Sequence, residues 1–110
     1  MTAYLVEVGI LLTKDHKDFD FYAEVYDKKH GYYDENQFYT KTKKEAIEYA
    51  KKYVNEGVDA TYGVISETTL LYDFDFENQG KVEYETYLTS DIVYSIAKID
   101  GEIKENFVLK

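Results

Sequence analysis

The stretch TKKEAIEYAKKYVNEGV, residues 42–58, constrains the fold more than any other, because there the apolar residues recur at helical spacing. Ala46, Ile47, Ala50, Tyr53 and Val54 fall on one stripe, and such a stripe has to be buried against a neighbour. Thr42 and Glu45 have the spacing of a capping box, in which the hydroxyl accepts from a free backbone N–H and the carboxylate reaches back to the cap. Gly57 marks the exit, where a left-handed residue is expected and Val58 folds back on the last turn. Everything else reads as strand and turn. The expected fold is therefore α+β: one amphipathic helix packed on an antiparallel sheet of about five or six strands, in the order ββ-α-ββββ. A chain of 110 residues makes a single domain, 1–110, large enough to bury a core without staples.

The strands follow from period-two patterning. Ala3–Thr13 is apolar at every even position from Tyr4 to Leu12, and Leu5 and Leu11 weight the other face, as in a central strand covered on both sides. Asp18–Asp27 alternates Phe19, Phe21, Ala23 and Val25 with polar residues, which predicts a half-buried second strand. Lys28–Asn36 carries turn chemistry and reads as a loop, with Gln37–Thr40 a short extended lead into the helix. After the helix, Thr61–Phe76 is a long extended run with a bend expected at Gly63 or near Glu67. Lys81–Leu88 is the next strand. Ile92–Ile99 and Glu102–Leu109 form a hairpin closed by Asp100-Gly101, with Tyr94, Ile96, Ala97, Ile103, Phe107 and Leu109 pointing inward.

Residues 72–86 carry the most distinctive chemistry. With Asn78-Gln79-Gly80 as a three-residue loop, Phe76 faces Val82, Asp75 faces Glu83, Phe74 faces Tyr84 and Asp73 faces Glu85. One face is then wholly apolar, and the other carries Asp73, Asp75, Glu77, Glu83 and Glu85, relieved only by Lys81. Like charges sit opposite one another, which is destabilising. Carboxylates along each strand repeat every ~6.6 Å, of the order of the charge spacing on a nucleic-acid strand. The plain alternative is a solvated face that keeps an acidic protein soluble. Asp73-x-Asp75-x-Glu77 begins like a calcium loop, but Asn78 stands where that loop needs glycine and Tyr84 where it needs glutamate, so no metal is expected.

The net charge is −9, distributed as −4 over residues 1–40, +2 over 41–56 and −7 over 57–110. All thirteen basic residues are lysine. Without arginine, the usual bidentate ligand of phosphate and guanine, direct nucleic-acid binding is not expected. Cysteine is absent, so neither a disulfide nor a thiolate metal site exists. The apolar N-terminus is too short to span a bilayer and contains Glu7, so a cytoplasmic protein is expected, without signal peptide or membrane segment. The absence of proline and arginine beside thirteen tyrosines suggests an AT-rich genome, that of a low-GC bacterium or its phages. His16 and His30 sit in polar turns, and Ser66, Ser90 and Ser95 have no nucleophile context. No catalytic set and no cofactor loop is visible, and the chain is read as a non-enzyme.

In size, charge and lack of chemistry the chain resembles the small acidic inhibitor proteins of phages and mobile elements: anti-CRISPR, anti-restriction and glycosylase-inhibitor proteins, several of them DNA mimics. The resemblance implies a basic nucleic-acid-binding partner, such as a nuclease. Asp73, Asp75, Glu77, Glu83 and Glu85, with Asp18, Asp20 and Glu24 of the second strand, would pair with the lysines and arginines that normally hold phosphates. The other function class that fits is a structural or accessory interaction module whose acidity serves solubility only.

Overall fold

Strand β1, Thr2–Thr13, is the axis of the sheet. In the computed structural model, which describes residues 2–13, 30–70, 76–77 and 87–106, β1 pairs antiparallel with β2 (His30–Thr40) on one side and β3 (Thr61–Leu70) on the other. β4 (Tyr87–Ile99) follows β3, and β5 (Glu102–Glu105) closes the row, giving the order β2-β1-β3-β4-β5. Helix α1, Lys43–Glu56, lies between β2 and β3 in the chain and packs on the sheet. This is the α+β arrangement expected. No helix among the described residues is long and apolar enough to cross a membrane.

The apolar stripe of α1 is buried as its spacing requires. Ala46, Ala50 and Val54 join Val6 and Val8 of β1, Ile65 of β3 and Tyr94 and Ile96 of β4 in one cluster, with Ile47 and Tyr53 at its margin. Helix and sheet approach closely because both sides are small. A Cβ on Gly63 would come within 2.9 Å of the Ala50 Cβ. Gly63 is thus the seat of the helix rather than a bend. The irregularities of β3–β4 pairing fall between Ile65 and Ser66 and between Thr68 and Leu70, flanking Glu67. The opposite face of the sheet is buried too: Ala3, Leu5, Tyr39 and Leu70 form one cluster there, and Leu11, Tyr62, Val64 and Ala97 another. β1 is therefore paired on both edges and buried on both faces, as its double apolar pattern predicts.

The second strand differs from the expectation. Residues 28–36 read as a loop, yet His30–Thr40 is an 11-residue strand. The polar run GYYDENQ is tolerated because β2 is the outermost described strand, and an edge strand takes charged and polar side chains. Its turn residues serve a bulge: Val8 pairs with Asn36 and Gly9 with Asp34, leaving Glu35 as the extra residue. Gly9 makes room for it, since a Cβ there would lie 2.9 Å from the Glu35 amide nitrogen. The expected strand Asp18–Asp27 lies outside the described residues.

The last hairpin follows its sequence signal. Ile99 pairs with Glu102, and Asp100 and Gly101 both have positive φ, 54° and 78°, the signature of a two-residue primed turn. Tyr94, Ile96 and Ala97 are buried. Ile103, expected inward, is 40 % exposed, because β5 is a short outer strand with every side chain exposed. Phe107 and Leu109 lie outside the described residues. β4 is continuous from Tyr87, so the expected break between Leu88 and Ile92 does not occur; bulges in its pairing with β3 absorb the irregular pattern instead.

The helix exit is also corrected. Gly57 is extended, at φ −78° and ψ 169°, not left-handed. The left-handed residue is Ala60, at φ 64°. Gly57 is small for a steric reason: a Cβ there would meet the Tyr53 carbonyl oxygen at 2.8 Å and the Thr61 side chain at 3.0 Å. Val58 does not fold back on the helix; it is 76 % exposed.

Candidate functional site

Of the eight carboxylates singled out from the sequence, Glu77 is described, and it is exposed. Its neighbour Phe76 packs against the cluster of Ala3, Leu5, Tyr39 and Leu70, with Lys41 Nζ 5.5 Å above the ring centroid. Asp73, Asp75, Glu83, Glu85, Asp18, Asp20 and Glu24 lie outside the described residues.

The sheet nevertheless fixes where the two acidic segments are rooted. Leu70 pairs with Tyr87, so the two residues that flank 71–86 sit side by side. Thr13 pairs with His30, so the two residues that flank 14–29 are neighbours as well. Thr2 pairs with Thr69, which puts the two roots at opposite ends of β1. Twelve residues of strand separate them, roughly 36 Å at about 3.3 Å per residue. The two segments differ in charge as well. Residues 71–86 carry five carboxylates and one lysine, net −4; residues 14–29 carry five carboxylates and four lysines, net −1.

A second acidic feature was not legible in the sequence. At the C-terminal end of α1 a cavity of about 360 Å³ is lined by Ile10, Glu35, Tyr53, Glu56, Gly57, Val58 and Thr61. β1 supplies Ile10, the bulge of β2 supplies Glu35, the last turns of α1 supply Tyr53 and Glu56, the exit segment supplies Gly57 and Val58, and the start of β3 supplies Thr61. Tyr53 Oη donates to Glu35 Oε2 at 3.0 Å. Burial, then the hydrogen bond and charge of Glu35, push the Tyr53 hydroxyl up to about 12, so it stays protonated through the neutral range. Tyr49 stacks beside Tyr53 with centroids 6.4 Å apart, and Phe38 of β2 meets Tyr49 edge-on at 4.6 Å. By sequence pattern alone Glu35 falls in a loop and Tyr53 in the apolar stripe. Only the β2–helix contact, which no local pattern encodes, brings them together.

Asp34, next to Glu35, serves the other face. It accepts a hydrogen bond from the buried Tyr62 hydroxyl and one from Gln37 Nε2 at 2.6 Å. Adjacent carboxylates thus take different work, Asp34 satisfying a buried phenol and Glu35 standing at the cavity rim. Among the described residues no three His, Asp or Glu side chains converge as a metal site needs. No protein-family model, no curated protein and no solved structure matches the chain.

Proposed function

We propose that the protein is a small acidic inhibitor that occupies the basic surface of a nucleic-acid-binding protein, such as a nuclease of a bacterial cell, and does so without catalysis. The observation that carries the reading is the pairing of Leu70 with Tyr87 around a segment of net charge −4. A hairpin that sorts Asp73, Asp75, Glu77, Glu83 and Glu85 onto one face needs its two ends held together, and that pairing holds them. The second carboxylate set, Asp18, Asp20 and Glu24, is rooted at the far end of the sheet and is offset by four lysines in its own segment. Residues 71–86 are therefore the principal contact, and a partner that met both sets would have to reach along the sheet. Binding through carboxylates is fast and salt-sensitive, because its long-range part is screened.

The test is capture of partners from lysate of a low-GC bacterium, with elution in steps of rising salt and a parallel capture in excess duplex DNA. The expected result is a DNA-binding protein released by salt and displaced by DNA. The quadruple variant D73N/D75N/E83Q/E85Q should lose that partner while folding as well as the parent, since it removes opposed like charges. A partner indifferent to salt and DNA would point instead to an accessory module that assembles through apolar or sheet-edge contacts.

A further inference from the structure

We propose that the cavity at the C-terminal end of α1 receives one lysine or arginine side chain of the basic partner. The identity of that partner rests on the inhibitor reading; the chemistry of the cavity does not. Its volume, about 360 Å³, sits at the small end of the roughly 300–1,000 Å³ range of ligand sites, enough for one long side chain. Ile10 and Val58 give it apolar wall, and Val58 at 76 % exposed has no cover among the described residues. Glu35 and Glu56 are both exposed at its rim, and neither forms an ion pair among the described residues.

The two carboxylates are not equivalent. Tyr53 holds Glu35 through Oε2, which fixes the carboxylate and leaves Oε1 to accept from a ligand. A held carboxylate loses less side-chain freedom on binding than a mobile one. The Tyr49–Tyr53 stack beside it adds aromatic surface, on which a guanidinium or ammonium is favoured.

These features select the ligand. A purely apolar group would strip water from Glu35 and Glu56 without replacing its hydrogen bonds. A phosphate or carboxylate would be repelled. An apolar stem ending in a cation satisfies both parts, with the stem on Ile10 and Val58 and the head between the carboxylates. Lys98 reaches the same helix end, but its ammonium is held by the carbonyl oxygens of Asn55 and Gly57 at 3.1 and 2.9 Å. It caps the helix rather than neutralising the rim.

The proposal is tested first without a partner. Nα-acetyl-lysine methylamide and its arginine counterpart are titrated into isotope-labelled protein, with the norleucine counterpart as the uncharged control. The expected result is saturable shifts of the Ile10, Tyr53, Gly57, Val58 and Thr61 amides with both cations and none with norleucine. The shifts should vanish in E35Q/E56Q, whose remaining spectrum stays native. Cationic probes that leave these amides unmoved, or move them equally in E35Q/E56Q, overturn the proposal whatever becomes of the acidic hairpin. The second arm uses the captured partner, for which E35Q/E56Q should weaken binding by about tenfold. Unchanged affinity overturns the docking role and leaves the hairpin reading standing. Failure to capture any basic partner overturns the inhibitor reading, and the probe titration then decides the cavity alone.

Discussion

The two ends of α1 are held in different ways. At the N-terminus the capping hydrogen bonds are local. Thr42 Oγ1 accepts from the Glu45 amide at 3.2 Å and donates to Glu45 Oε1 at 3.0 Å, and the Thr40 hydroxyl donates to the Thr42 carbonyl at 2.8 Å. At the C-terminus the holding groups come from the far end of the chain. No basic residue lies in the last turn. Lys98 of β4 supplies the missing cation, donating to the carbonyls of Asn55 and Gly57, 43 and 41 residues away. The exit segment is tied down by the same hairpin: the Gly101 amide donates to Asp59 Oδ1 at 2.9 Å, and the Ala60 amide to the Lys98 carbonyl at 2.9 Å. One end is a property of the six consecutive residues 40–45; the other exists only once β4 and β5 are in place.

The largest expected effect tests the crowded end. Gly57→Val should destabilise by about 2 kcal/mol, because its Cβ meets the Tyr53 carbonyl oxygen and Thr61 with no room to relax. A left-handed cap at Gly57 would make the same substitution costly for a different reason. The two causes separate with alanine and D-alanine at position 57. If the Cβ clash is the cause, L-alanine is already costly; a left-handed site would accept the D-residue. Thermal melting of the three variants decides between them. Next in size is Lys98→Met, which keeps the aliphatic stem and removes two charge-assisted hydrogen bonds. A loss of about 1.5 kcal/mol is expected, at the low end for charged hydrogen bonds because the site is partly exposed. Faster hydrogen exchange in residues 53–60, with the first turn unaffected, would locate the loss.

The same contrast explains what the sequence made legible. Helix, cap, apolar stripe and the Asp100-Gly101 turn are written in residues close together in the chain, and each is where its pattern puts it. The pattern shows β2 only at Gln37–Thr40, and the rest of the strand, residues 30–36, is supplied by its partner. Gly31-Tyr32-Tyr33-Asp34-Glu35-Asn36 has turn composition, and ten residue pairs with β1 outweigh that preference. Of the two places where the pattern allows a bend, Gly63 and the region of Glu67, the irregular pairing flanks Glu67, and the reason for Gly63 is Ala50, thirteen residues earlier on the helix. The cavity was illegible on the same ground, being assembled from β1, the β2 bulge and the end of α1. The charge of residues 71–86 was legible outright, and what the fold adds is the location of their root.

Thr42→Ala should cost ~1 kcal/mol, the usual value of an N-cap hydroxyl. Helix α1 spans 14 residues, so Thr42 and Lys98 act on sites separated by roughly 20 Å. Their effects should add to within ~0.5 kcal/mol in the double variant. A large coupling energy would break the distinction between a locally and a distantly held end, because it would mean that the cap at one terminus senses the lock at the other.

The smallest effect has the opposite sign. Ala60 holds φ 64°, a conformation that costs an L-residue roughly 1–2 kcal/mol. Replacing it by glycine removes that strain but adds chain entropy to the unfolded state, worth about 0.4–1 kcal/mol. Ala60 also lies partly buried against the cluster of Leu11, Tyr62, Val64 and Ala97, so some apolar contact is lost. The balance is a gain of about 0.5 kcal/mol. The gain depends on the lock, because the strain at Ala60 is imposed by its own hydrogen bonds: its amide donates to Lys98 and its carbonyl accepts from the Leu11 amide at 2.7 Å. In a chain already carrying Lys98→Met, residues 57–60 are freer to leave the left-handed geometry, and Ala60→Gly should then gain less. Equal gains in both backgrounds would show that the backbone of β1 and β4 alone holds the exit, and that Lys98 caps the helix without shaping the segment that follows it.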